Sequence, residues 1–366
     1  MIVNFLVVSF LMSFFTVWGV IALFGRFKII GIDGKKGGPQ KFHQNPTPRT
    51  GGIGIFIVFL AVSTMLLYIK HEDGFIVLTA VASPAFFAGL AEDLIEHVRP
   101  LIRLGATILS GLLGAYLLGA TLTRTGFPLI DGLLSIGVIA LPITVFMVAG
   151  VTNAFNIIDG YNGLASMVSI IILLALGYVS FKVSDSFLLY TSFIMVFIIL
   201  GFFMWNYPFG KIFLGDGGVY FIGFIIAEIS ILLVISHKQV SPWFPLLLCI
   251  YPIFETVFSI YRKKIVRKMS PGLPDGLHLH MLIYKRVVKS LFGLRKNENN
   301  DKLYNNFATS PFLWLLASFG VIPAVLFWNN TIALMIFTAI FIIIYISVYK
   351  MIINFKFKIW KSAAFK

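Results

Sequence analysis

The positive charges of this chain alternate along its length. About eleven apolar stretches long enough to cross a bilayer can be marked, and all but four of the 29 Lys and Arg fall in every second gap between them. That alternate set is 25–50, 91–103, 153–163, 206–217 and 262–308, together with the tail after 349. The opposite gaps hold only Lys70, Arg124, Lys182 and Lys238. Short loops rich in Lys and Arg stay in the cytoplasm. The pattern therefore predicts an all-α integral membrane protein with its N-terminus outside, its C-terminus in the cytoplasm and its polar clusters on the cytoplasmic face.

The expected spans are 2–24, 51–69, 75–90, 104–122, 134–152, 164–181, 187–205, 218–236, 242–261, 309–328 and 330–349. The third is short, and the eighth and ninth are candidates for a break. Only 12% of residues are charged, about half the fraction of a soluble domain. The net charge of +14 is explained by basic residues that hold helix ends at anionic lipid, so nucleic acid is not an expected partner. Cys249 is the single cysteine, which excludes an internal disulfide. Residues 1–24 lack a basic start and a small-residue cleavage site, so they are expected to be a retained helix. Residues 1–350 form one membrane domain, and 351–366 a basic cytoplasmic tail. No repeat of fixed period is visible, which weakens the case for a secondary transporter.

Five loop clusters carry the chemistry. The first, GIDGKKGGPQKFHQNPTPRTGG (31–52), combines backbone-fixing prolines with Lys41, His43 and Arg49. It suits a phosphate or diphosphate, or is a basic turn that anchors the topology. The second, GLAEDLIEHVRP (89–100), places Glu92 and Asp93 at a membrane boundary, where a carboxylate is costly unless it meets a cation or a proton. General-base work or metal binding is one reading, and an acidic cap offset by Arg99 and Arg103 is the other. The third, VTNAFNIIDGYNGLAS (151–166), has no basic residue. Asn153, Asn156 and Asp159 recur at three-residue steps on a helix, with Asn162 just beyond. Such oxygen ligands suit Mg²⁺ or Mn²⁺, against the alternative of interhelical amide contacts.

The fourth cluster sets Asp216 in GDGG at the start of a helix, where it can hold a metal while backbone N–H groups face phosphate, or serve as a plain N-cap. The fifth, PDGLHLHMLIYKR (274–286), carries His278 and His280 two residues apart, with Lys285 and Arg286 following. Phosphate contact fits better than zinc, because the oxygen ligands elsewhere are hard. Residues 285–295 also read as a basic amphipathic stretch for the membrane surface.

Taken together and in this order, KFHQNPTPRTGG, GLAEDL, TNAFNIIDGYNGLA, FLGDGG and HLHMLIYKR resemble the polyprenyl-phosphate N-acetylhexosamine-1-phosphate transferases over about residues 1–350. The resemblance implies a bacterial inner-membrane enzyme in which undecaprenyl phosphate attacks the sugar-bearing phosphorus of a UDP-N-acetylhexosamine, giving a lipid diphosphate sugar and UMP. It implies Glu92 and Asp93 at the lipid phosphate, with Asp93 favoured as base. Mg²⁺ would sit at Asn156 and Asp216, with Asp159 close by. His278 and His280 would meet the nucleotide-sugar diphosphate, and Lys41, His43 and Arg49 match the first-loop motif. Glu92 stands where many members have Asp, and Met281 where some have a third histidine. These departures look more like the branch that starts O-antigen or related surface glycans, with GlcNAc, FucNAc or QuiNAc as the sugar. The oligomeric state stays open, a homodimer included. The rival reading is a secondary transporter or flippase of phosphate-bearing cargo, which should place its ionisable groups at mid-membrane, where only Glu228 and Glu255 fall.

Overall fold

The computed structural model describes residues 2–27, 32–33, 47–95, 97–270, 276–292 and 298–354. Lys41, His43, Glu96 and the tail after 354 lie outside the described residues. The chain runs α1 (Ile2–Phe27), β1 (Ile32–Asp33), β2 (Thr47–Pro48), α2 (Gly51–Lys70), α3 (Gly74–Ile95), α4 (Pro100–Leu117), α5 (Pro128–Leu134), α6 (Gly137–Ile158), α7 (Leu164–Lys182), α8 (Ser186–Asn206) and α9 (Gly215–Ser236). After α10 (Trp243–Leu248) and α11 (Ile250–Tyr261) comes a π-helical turn, Arg262–Val266. Then follow α12 (Leu279–Leu282), a second π-helical turn (Ile283–Val288), α13 (Lys289–Phe292), α14 (Glu298–Leu326) and α15 (Thr331–Ile353).

Among the described residues, ten helices are long and apolar enough to cross a membrane. The ninth expected span, 242–261, is divided at Cys249 into α10 and α11. The third span is longer than expected and stays helical to Ile95. Its acidic end is tolerated because Glu92 Oε2 turns back to accept the Val98 N–H at 2.8 Å and Asp93 faces the start of α9. The interior is an apolar solvent, in which polar groups are best met from within the protein. Hydroxyls such as Thr152, Ser169, Ser180 and Ser192 donate to the carbonyl four residues back. Pro84 interrupts α3, and the Ala85 N–H beside it reaches Ser110 Oγ on α4 at 3.1 Å. Large apolar side chains such as Phe15, Trp18, Tyr116 and Phe146 are left exposed, as a lipid-facing surface demands.

The centre is α9, buried from Gly215 to Val234 and packed against α2, α3, α6 and α7. Its far end is closed by Arg124, whose guanidinium donates to the carbonyls of Val234, His237, Lys238 and Val240 at 2.6–3.0 Å. A cation at a helix C-terminus is favourable. Its near end carries the site.

Candidate active site

The short β1–β2 pair sets Ile32 opposite Pro48, and the chain from Pro48 to Gly52 lies against the start of α9. Backbone bonds fasten it there: Phe213 N–H to the Pro48 carbonyl at 2.8 Å, Gly51 N–H to that of Phe213 at 3.0 Å, and Gly52 N–H to that of Leu214 at 2.9 Å. Arg49 is thereby carried to Asp216, its Nη2 lying 3.3 Å from Oδ1. Asn156 Nδ2, from the end of α6, donates to the same Oδ1 at 3.0 Å. Arg103 Nη1, from the first turn of α4, pairs with Oδ2. The other face of this helix start belongs to Asp93. Its Oδ1 accepts the Asp216 N–H at 2.8 Å and its Oδ2 the Gly217 N–H at 2.9 Å, with Arg49 Nε 3.7 Å away.

The approach is close because side chains are missing. Gly215 has φ +75°, the left-handed region that favours glycine, and a Cβ there would meet the Arg49 carbonyl. A Cβ on Gly89 of α3 would stand 2.6 Å from the Asp216 carbonyl and the Gly217 nitrogen.

Asp159 ends α6 as its C-cap. It is half-buried, and no hydrogen bond from the described residues reaches its carboxylate. Burial, and then the Asp216 carboxylate, push its pKa up to about 7, with Arg49 opposing. Next to it, Gly160 lies against His280: a Cβ would be 3.2 Å from Nε2. The His280 ring meets Tyr161 edge-on at 5.7 Å and stacks parallel to His278 at 5.2 Å. Burial lowers the pKa of His280 to about 3, so the ring is neutral; Glu255 opposes this, while His278 and Arg262 reinforce it.

Arg49, Asp93, Asn156, Asp159, Asp216, His278 and His280 are thus gathered at one end of the bundle. Glu92 is turned to Val98. Asn153 bonds its own helix at Ala149 O, with the Tyr220 hydroxyl 3.5 Å from its Oδ1.

Two expected contacts take other work. Asn162 is buried as a structural tie: its N–H meets Asn306 Oδ1 at 2.9 Å, its Nδ2 the Pro208 carbonyl at 3.1 Å, and its carbonyl the Ser310 hydroxyl at 2.6 Å. Arg286 Nη1 donates to the carbonyls of Ile352 and Ile353 at 3.0 and 2.6 Å, at the C-terminus of α15.

Asp93 as a free base also meets a different geometry, since both its oxygens are engaged by backbone. Arg103 and Glu255 are the residues sequence reasoning undervalued. A cation on the turn after an acidic pair, and a carboxylate inside an apolar span, were their signals.

An apolar cavity of about 310 Å³ opens among α5, α6, α9, α10 and α11, running from the Arg124 end of α9 towards its middle and lined by Phe127, Met147, Val151, Trp243 and Ile253. Val151 precedes Asn156 by five residues, roughly 7.5 Å along the helix.

The family profile described as glycosyl transferase family 4 matches residues 75–234, a stretch that contains Asp93, Arg103, Asn156, Asp159 and Asp216. A probable undecaprenyl-phosphate N-acetylglucosaminyl 1-phosphate transferase of Bacillus subtilis is 31% identical over 75% of this chain and 76% of its own length. An undecaprenyl-phosphate alpha-N-acetylglucosaminyl 1-phosphate transferase of Thermotoga maritima is 25% identical over 74% and 82%. A phospho-N-acetylmuramoyl-pentapeptide-transferase of Streptococcus thermophilus is 28% identical over 65% and 76%.

Proposed function

The chain belongs to glycosyl transferase family 4, and from that premise we propose that it transfers N-acetylglucosamine 1-phosphate from UDP-N-acetylglucosamine to undecaprenyl phosphate. A phosphate oxygen of the lipid attacks the sugar-bearing phosphorus. The bond to the uridylyl phosphate breaks, and UMP leaves with the electron pair. A lipid diphosphate sugar remains. The observation that carries this reading is the convergence of Arg49, Arg103 and Asn156 on Asp216, beside Asp159 and the histidine pair.

The donor set fits Mg²⁺. Asp159 offers a carboxylate that takes no hydrogen bond from the described residues, Asp216 a second, and Asn156 an amide; hard cations of this size use one or two carboxylates together with substrate phosphates. Bound there, Mg²⁺ would offset the charge of the diphosphate. Arg49 and Arg103 supply fixed positive charge for two anionic reactants that repel each other, in a preorganised arrangement worth more than the same charges in water. A phosphate monoester is largely ionised at neutral pH, its second pKa being about 6, so the attacking oxygen needs no strong base. Asp93 accordingly serves by fixing the start of α9. His278 and His280 close the site over the sugar-nucleotide diphosphate.

The apolar cavity along α6 accepts part of the prenyl tail, with its Val151 rim turned towards the Asn156 end of that helix. The charge alternation supports a cytoplasmic position for that end, in a bacterial inner membrane. The surface glycan that follows, the choice of GlcNAc over FucNAc or QuiNAc, and a homodimeric state belong to the same proposal.

Purified protein with UDP-N-acetylglucosamine, undecaprenyl phosphate and Mg²⁺ should release UMP and form the lipid product, and chelation should stop it. Movement of lipid-linked cargo without UMP release would overturn the reading in favour of transport.

A further inference from the structure

Glu255 lies on α11, inside the broken span, and is fully buried. A carboxylate in that position is costly unless its lone pairs are met. Here they are. Oε1 accepts from His278 Nδ1 at 3.0 Å and from the Leu279 N–H at 3.2 Å; Oε2 accepts from the Tyr345 hydroxyl at 2.7 Å. One side chain thus joins the histidine segment to α15.

A second layer fixes the residue before His278. Arg262 Nη1 donates to the Leu277 carbonyl at 2.7 Å and to the Tyr349 hydroxyl at 2.9 Å, and that hydroxyl donates to the same carbonyl at 3.1 Å. The His278 ring then carries the geometry onward. It stacks within 2° of parallel on His280, which rests against Gly160 beside Asp159.

We infer that Glu255, held by Tyr345, is a positioning residue that orients His278 and through it the histidine pair; this rests on the reading of those histidines as contacts of the nucleotide-sugar diphosphate. A carboxylate can only accept, so Nδ1 carries the proton and Nε2 faces the other way. An imidazole freed from its carboxylate loses both tautomer and direction. Partners of this kind are worth about ten- to a hundredfold in histidine-dependent sites.

The test uses the full chain in detergent, with initial rates against each substrate. Glu255→Gln keeps the shape and removes the charge. It should raise KM for UDP-N-acetylglucosamine about tenfold and leave KM for undecaprenyl phosphate unchanged. Tyr345→Phe should move the same constant in the same direction, by about threefold. Combined with His278→Ala, Glu255→Gln should add nothing, because a residue acting through another is silent once that other is gone. Should Glu255→Gln not fold, Tyr345→Phe with and without His278→Ala carries the same comparison.

Effects that multiply in the double variant, or a harmful His278→Ala beside an inert Glu255→Gln, would overturn this inference alone. An inert His278→Ala would overturn the reading of the histidines and the inference with it.

Discussion

Replacing Asp93 by asparagine separates a base from a brace. Each Asp93 oxygen accepts one backbone N–H at the start of α9, from Asp216 and Gly217, and the side chain is 1% exposed. The amide of Asp93→Asn would keep one acceptor and turn an NH₂ group towards the other N–H. An unsatisfied buried donor costs about 1–3 kcal/mol, and losing a negative charge at a helix N-terminus costs up to about 2 kcal/mol more. The sum is about 1–5 kcal/mol, which for a chain of this length is a fall in melting temperature of roughly 1–6 °C. The protein carries its own reporter. Cys249 is the single cysteine and is buried, so a fluorogenic maleimide labels it as the helices separate. Heating detergent-solubilised Asp93→Asn with such a dye should show early labelling together with lost turnover. An inactive variant that melts with the wild type would refute the argument and return Asp93 to the role of base.

Gly89→Ala should abolish turnover, because its Cβ would press on the backbone of Asp216 and Gly217, which has no cheap way to move; wild-type rates would mean that α3 and α9 can part freely. Asp159 sits at about 7, so it is neutral below that pH and anionic above it, and a cation binds the anion. The acid limb of the rate profile should therefore lie near pH 7 at low Mg²⁺ and move to lower pH as Mg²⁺ rises; a limb indifferent to Mg²⁺ would remove Asp159 from the metal site. Arg286→Ala should lower thermal stability by about 1–2 kcal/mol through the lost cap of α15 and leave KM for the UDP-sugar unchanged, whereas a large KM effect would return Arg286 to the phosphate.

Much of this is legible in the residues alone. Apolar length marks the helices, but proline does not mark the broken one, since Pro84, Pro142, Pro311 and Pro323 lie inside continuous helices. Asn156, Asp159 and Asp216 stand out because amides and carboxylates between apolar spans need a reason. What could not be read was which partner each polar group chooses. Asn162 and Arg286 sit inside conspicuous motifs, yet each spends its hydrogen bonds on a neighbouring loop or helix end far away in sequence. Arg103 looks like a counter-charge for Glu92 and Asp93, and only the fold brings it to Asp216, 113 residues away. Glu255 is visible as an oddity in an apolar span, but its bond to His278 depends on how the basic segment between them returns.

The burial of α9 between Asp93 at one end and Arg124 at the other decides which walls are free to yield. A rod clamped at both tips and gripped along its flank can neither slide nor turn without breaking every fastening at once. The segments free to yield are those with interrupted hydrogen-bond ladders: the divided α10–α11 pair and the π-helical turns on either side of the histidines. The fold keeps the Asp216 carboxylate still and leaves the movement to those segments.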